Sequence, residues 1–263
     1  MAQQYKRIIR VSITGVERTF TYPELEINFA GNFDNNAEPN DYSVNIYNLG
    51  QESVSLINRT NAITLSAGYE NDVGIISAGV ITRVETDTSS VDKLTTIEFQ
   101  DASSQWLNVN VSRTFTGPIT ASEVLRQITQ NIDLEIGQIN LVNNITYQNG
   151  KTVVGKLSNV IKKIVRETNS SVTIRNGKID ITASSTGFET GFILNNQTGL
   201  INIDKLDDKD SQAEYKLNML MNHRIRPKSI LQIESTKVQG LFFVIEGKYN
   251  NDFTITAEVA RLV

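Results

Sequence analysis

Three stretches of this sequence carry residue types that could do chemistry. Gly150-Lys151-Thr152 matches the end of a phosphate-binding loop, in which a glycine-rich turn aims backbone N–H groups at phosphate oxygens from a helix N-terminus. That loop needs a glycine five positions earlier, and Ile145 stands there, so Asn149-Gly150 reads as a turn in front of a helix. His223 is the single histidine, which excludes metal sites and nucleophilic triads built on several imidazoles. Between a strand and the Arg226-Pro227 turn it reads as a solvated or hydrogen-bonded loop residue. Asp204, Asp207, Asp208 and Asp210 cluster without the glycine that gives a calcium loop its sharp turn, so they read as a solvated acidic loop. Cysteine is absent, which removes disulfides, thiolate zinc sites and thiol nucleophiles. No local pair of carboxylates stands apart from the 29 acids as a hydrolytic pair. These residues predict no catalytic group, no cofactor and no metal, and a protein that is not an enzyme.

The composition belongs to a globular chain. With 263 residues, 39% apolar and 21% charged, it can bury a sizeable core, roughly three quarters of its extended surface. A formal charge of −4 supplies no general field for nucleic acid, which is held by clustered Lys and Arg. No run approaches the ~20 apolar residues of a membrane span. The N-terminus passes into a strand pattern at Tyr5 without a secretory apolar stretch. Nothing there sends the chain through a membrane, and the Asn-x-Ser/Thr triplets read as chance in an Asn-rich chain.

The elements that position these residues are mostly strands. Alternating or continuous apolar runs predict strands near Tyr5 to Ser12, Glu24 to Phe29, Asp41 to Tyr47, Ala62 to Gly68, Gly74 to Thr86 and Lys93 to Asp101. A short helix is predicted from Gln51 to Asn58. After Trp106, Thr120-Ala-Ser-Glu123 is a capping box ahead of Val124, Leu125 and Ile128 at helical spacing. Leu157, Val160, Ile161, Ile164 and Val165 form the apolar stripe of a second amphipathic helix, from about Val154 to Glu167. Ser171 to Arg175 and Lys178 to Thr182 flank Asn176-Gly177, a hairpin signature. Strands then resume near Phe192 and continue to Arg261.

The predicted organisation is therefore mainly β with an α+β insertion, in three domains. Residues 1–105 form an N-terminal β domain, 106–187 a small α+β domain with two amphipathic helices and a hairpin, and 188–263 a C-terminal β domain. Long strands such as Gly74 to Thr86 and Leu241 to Tyr249 suit closed or nearly closed barrels, and the outer domains are expected to share a fold.

Leu217-Asn-Met-Leu-Met-Asn-His-Arg-Ile-Arg-Pro-Lys-Ser-Ile-Leu-Gln-Ile-Glu-Ser235, Gly240-Leu-Phe-Phe-Val-Ile-Glu-Gly-Lys-Tyr249 and Asp252-Phe-Thr-Ile-Thr-Ala-Glu258 resemble the end of phage tail baseplate hub proteins of the late-control-D type. Pro23 to Phe29, Asp41 to Leu49, Leu65 to Tyr69 and Ile76 to Ile81 resemble the opening of such hubs. The resemblance implies two tube-like β-barrel domains flanking the α+β part, and a homotrimeric ring whose six β domains imitate a sixfold tail tube. It implies a structural protein of a phage or phage-tail-like particle, made in the bacterial host cytoplasm and located in the virion at the tail tip or baseplate. Its partners would be a tail tube or distal tail protein, a spike or tail-fibre protein, and tape-measure protein. DNA would be only a non-specific passenger. Larger members of the family append a peptidoglycan-cleaving domain after the hub, and the match here covers the hub part alone.

Two sets of residues follow as candidates. Asn35, Asn36 and Glu38 in the Gly31 to Asn40 loop, and Asn250 and Asn251, are candidate interface residues at ring edges. Asp87, Glu98, Glu246 and Glu258, with Thr86, are candidate lumen residues, because like charge would keep DNA from sticking. Alternation alone leaves open which of these face inward. The alternative is a cell-surface carbohydrate-binding or cell-wall-hydrolysing β protein, with Trp106, Tyr69 and Tyr249 stacking on sugars.

Overall fold

Alternation of apolar and polar residues sets the first half of the chain. It forms β1 (Arg7–Ile13), β2 (Phe20–Tyr22), β3 (Ile27–Phe33), β4 (Asp41–Tyr47), helix α1 (Gln51–Leu56), β5 (Ala62–Tyr69), β6 (Asp72–Asp87) and β7 (Leu94–Gln100). Every second residue of β4 and β7 is buried, Tyr42, Val44 and Ile46 on one and Thr95, Ile97 and Phe99 on the other, so each strand has one core face and one polar face. The computed structural model describes residues 5–34, 38–101, 106, 108–130, 136–175, 178–183, 186–207 and 212–262.

The middle of the chain forms β8 (Asn110–Phe115), β9 (Ile119–Thr120), α2 (Ala121–Thr129), β10 (Ile136–Ile139), β11 (Thr146–Tyr147), β12 (Lys151–Lys156), α3 (Leu157–Glu167), β13 (Ser171–Arg175) and β14 (Lys178–Thr182). The capping box forms as its sequence requires. The Glu123 N–H donates to the Thr120 hydroxyl, and the Glu123 carboxylate accepts from the Thr120 N–H at 2.9 Å. The stripe from Leu157 to Val165 is buried, together with Val124, Leu125 and Ile128 of α2 and the sole tryptophan, Trp106.

One expectation fails here. Gly150-Lys151-Thr152 opens a strand, not a helix, and Val154 lies in that strand with its side chain exposed. The physical reason is pairing: β12 runs antiparallel to β8 from Lys151 opposite Phe115 to Lys156 opposite Asn110, and the helix starts only at Leu157. Gly150 sits at φ +79, and a Cβ there would come within 2.1 Å of the Phe115 carbonyl oxygen, so the glycine serves this turn.

The last third forms β15 (Phe188–Leu194), β16 (Leu200–Lys205), β17 (Tyr215–Leu220), β18 (Ser229–Glu234), β19 (Gln239–Asn250) and β20 (Thr254–Arg261). The chain clusters into two compact units. One joins residues 1–35, 40–100 and 187–263, and the other joins 36–39 and 101–186.

Within the first unit the two β halves repeat one another. The first half runs β1-β5-β6-β7-β4-β3 across the sheet, and the second runs β15-β18-β19-β20-β17-β16, with each strand at the same rank in its half. The one difference in direction is at the first pair, antiparallel for β1 with β5 and parallel for β15 with β18. Both halves carry a β-bulge at the same place: Thr82 is the extra residue between the Ile81/Phe99 and Arg83/Glu98 pairs, and Ile245 between Val244/Val259 and Glu246/Glu258. Val44, Ile81 and Phe99 are buried at the positions of Leu217, Val244 and Val259.

Neither half closes into a barrel by itself among the described residues. The edge strand β3 pairs instead with β19 of the other half, through Gly31–Tyr249, Asn32–Lys248 and Phe33–Gly247, and this joins both halves into one sheet. A Cβ on Gly247 would stand 2.5 Å from the Phe33 ring and 2.6 Å from the Thr256 carbonyl oxygen, so close approach of the strands requires glycine there. The core is shared as well. Tyr249 packs against Phe33 with ring centroids 4.8 Å apart, and Phe253 packs against Phe29 at 6.3 Å.

Candidate functional site: the polar face of the sheet

Lys151, His223 and Asp204 are engaged in structural contacts. Lys151 donates to Glu167 and lies 4.2 Å from the centre of the Tyr147 ring. Tyr147 donates its hydroxyl to Glu167 at 2.5 Å, and burial, then that bond, raises the phenol well above its ordinary range. His223 is hydrogen-bonded, with Nε2 3.0 Å from Asp72, and its ring occupies the space that a side chain on Gly74 would need. Arg224 donates twice to the same carboxylate, at 2.6 and 2.7 Å, and these bonds hold Asp72 down to about 2. Asp204 pairs with Lys237 at 2.9 Å, which lowers its carboxyl. Asp208 and Asp210 lie outside the described residues, among which no group of three or more His, Asp or Glu could hold a metal ion.

A different surface collects the remaining candidates. Residues directly opposite in neighbouring strands share a face, so the pairs Arg83–Glu98, Glu246–Glu258 and Lys216–Glu258 lie on one side of the sheet, away from the buried Ile97, Ala257 and Leu217. Asp87 follows Arg83 and Glu85 on that side at alternate positions of β6. The structure thus brings Asp87, Glu98, Glu246 and Glu258 to a single face that spans both halves, and places Thr86 on the opposite face with Thr95, to which its hydroxyl bonds at 3.1 Å. Two shallow depressions on the polar face adjoin along Asn32 and Lys248, with volumes of about 530 and 430 Å³.

Charge on this face is unbalanced. Glu246 stands opposite Glu258, a like-charge pair, and burial followed by repulsion from Glu258 and Asp34 raises its carboxyl above the ordinary value. Asp87 is held in the opposite direction, because the Ser89 backbone N–H donates to it at 2.8 Å. The basic residues Arg83, Lys216 and Lys248 are scattered among these acids, with Arg83 3.6 Å from Glu98.

The candidate interface residues separate. Asn35 and Asn36 lie outside the described residues. Glu38 is exposed and forms an ion pair with Lys162 of α3 inside the second unit. Asn250 turns its side chain back onto the sheet, donating to Thr254 and Thr256 at 3.1 Å, while Asn251 is exposed in the turn before β20. Sequence reasoning missed the Asp72–His223–Arg224 cluster and the β3–β19 pairing, both of which join segments far apart in the chain. A signal for the repeat was present, in Asn28, Asn45 and Thr96 recurring as Asn202, Asn218 and Thr256 at matched strand positions. Trp106, Tyr69 and Tyr249 are buried, which removes them as platforms for sugar rings.

The tail protein from Neisseria meningitidis MC58 superposes with a TM-score of 0.67 at 9% identity, covering 97% of this chain and 96% of that one. The 43 kDa tail protein of prophage MuSo2 from Shewanella oneidensis gives 0.68 at 8% identity, covering 97% and 98%. The chain has a phage tail protein fold. The E. coli c3393 protein, a type VI secretion component described as structurally similar to the T4 tail proteins gp27 and gp5, gives 0.60 at 9% identity, covering 96% and 77%. No family model matches the sequence, and no curated protein does. No described helix is long and apolar enough to cross a membrane.

Proposed function

We propose that this chain is a structural hub of a phage or phage-tail-like particle, three copies of which form a ring at the tail tip or baseplate. The observation that carries this reading is the internal repeat. Two sheet modules with one strand order, one bulge position and one shared core supply two near-equivalent wall segments per chain, so three chains supply six. Such a ring presents a sixfold surface to a tail tube or distal tail protein and a threefold surface to a spike or tail-fibre protein. The halves, open as single chains, become barrel-like walls within it.

The acid-biased polar face then lines the passage, and DNA and tape-measure protein pass as cargo that like charge keeps from adhering. Three copies carry a formal −12 from −4 each. The Asn250–Asn251 turn and Glu38 sit at ring edges against neighbouring proteins. The role is structural and needs no catalytic residue. The carbohydrate-binding reading loses its aromatic platform to burial. The test is mass in solution across a concentration series: three times the 29.3 kDa chain mass is expected, and a dimer at every concentration would refute the ring.

A further inference from the structure

We infer that the ring closes by edge-to-edge strand pairing between copies, the end of β16 on one chain adding to the distal half of β6 on the next. This inference rests on the trimeric reading above and names the surfaces that would hold it together.

The seam between the two halves of one chain is the template. There the outer edge strand of the first half, β3, adds to the distal half of β19, beyond the point where β18 ends its own pairing at Phe243. By the repeat, β16 occupies the place of β3, and β6 that of β19. The counterparts of that seam carry no partner strand among the described residues. β16 pairs only with β17, and β6 beyond Arg83 pairs only with β7.

Backbone direction fits at both edges. The Leu206 N–H donates inward to the Glu214 carbonyl at 2.8 Å, so the N–H and C=O groups of Lys205 and Asp207 point outward. The Ile81 N–H and C=O bond to Asn61 and Thr60 on the side away from β7, and the bulge at Thr82 then turns Val84 and Thr86 outward as well. The register follows from the bulge and ladder positions: Gly31–Tyr249 maps to Lys205–Thr86, Asn32–Lys248 to Leu206–Glu85, and Phe33–Gly247 to Asp207–Val84. An unpaired edge of this kind is a template for another chain, and three copies each offering both edges close a heterologous ring with none left over.

The chain has no cysteine, so cross-linking reads the register directly. Leu206–Glu85 falls at a non-hydrogen-bonded position, where Cα atoms stand about 4.5 Å apart, within disulfide range. The double variant L206C/E85C is expected to oxidise to a covalent trimer on a non-reducing gel, while each single variant stays uncross-linked. L206C with V91C, at a fully exposed position in the β6–β7 turn, is the off-register control and is expected to give no trimer. K205P removes only an outward N–H from an edge strand and is expected to keep the monomer's circular dichroism and lose the trimer. A trimer by mass whose L206C/E85C variant does not cross-link overturns the strand pairing and leaves the hub reading standing. A chain that stays monomeric to millimolar concentration and gives no cross-link overturns both.

Discussion

The Thr96 hydroxyl donates to the Asn45 side-chain oxygen at 2.9 Å, and the second half of the sheet contains the same bond, from Thr256 to Asn218, also at 2.9 Å. Both bonds cross from the fourth strand of the module to the fifth, β7 to β4 and β20 to β17, at equivalent register on the polar face. Thr96→Val and Thr256→Val each remove the donor and leave a half-buried amide oxygen unmatched, and Thr256→Val also removes one of the two acceptors of Asn250, which keeps Thr254. Each is expected to lower stability by about 1 kcal/mol. Urea unfolding followed by far-ultraviolet circular dichroism checks this, and costs differing by more than about 2 kcal/mol would show that the halves are not equivalent.

Asp72 makes stability depend on acid. Its folded pKa of about 2 lies below its ordinary value of 3.8, so the stabilisation is present above pH 4 and is lost as pH falls towards 2. About 2 kcal/mol is at stake, since each pKa unit corresponds to about 1.4 kcal/mol. Asp72→Asn is expected to be less stable than the parent at pH 6 and to flatten the acid dependence in that window. Unfolding midpoints measured from pH 6 to 2 decide it.

The seam between the halves depends on Gly247. Gly247→Ala forces a methyl group against the Phe33 ring and the Thr256 carbonyl, at a cost of about 1 to 3 kcal/mol. Native-state hydrogen exchange is expected to show faster exchange at the β3–β19 pairs, with β8–β12 unchanged. Uniform loss of protection would place the damage elsewhere.

Trp106, the only tryptophan, reports on the second unit, because it packs in the core with α2 and α3. Thr120→Ala breaks the capping box and is expected to cost about 1 kcal/mol. The tryptophan fluorescence transition should move to lower urea by a corresponding amount, and an unchanged midpoint would contradict the assigned cap.

Local patterns were legible in the sequence wherever one element's own residues decide it. The alternation from Asp41 to Tyr47, the capping box at Thr120 and the hairpin strands Ser171–Arg175 and Lys178–Thr182 all form where their residues place them. What escaped was decided by distant partners. The strand at Lys151–Lys156 exists because β8 lies beside it, although Val153 and Val154 also fit the start of a helix. The joining of both β halves through β3 and β19 depends on a three-pair contact and a shared aromatic core, with no local signature beyond Gly31 and Gly247. The acids Asp87, Glu98, Glu246 and Glu258 could be named, but their common face depends on two bulges, each of which reverses the alternation by one residue.

The most direct test of the hub reading is an electron cryomicroscopy reconstruction of the assembled protein, computed without imposed symmetry. A ring of three chains is expected, with six wall modules at one radius and Glu98, Glu246 and Glu258 facing the passage. An assembly with another number of chains, or one whose two halves lie at different radii with these acids turned outward, would contradict it.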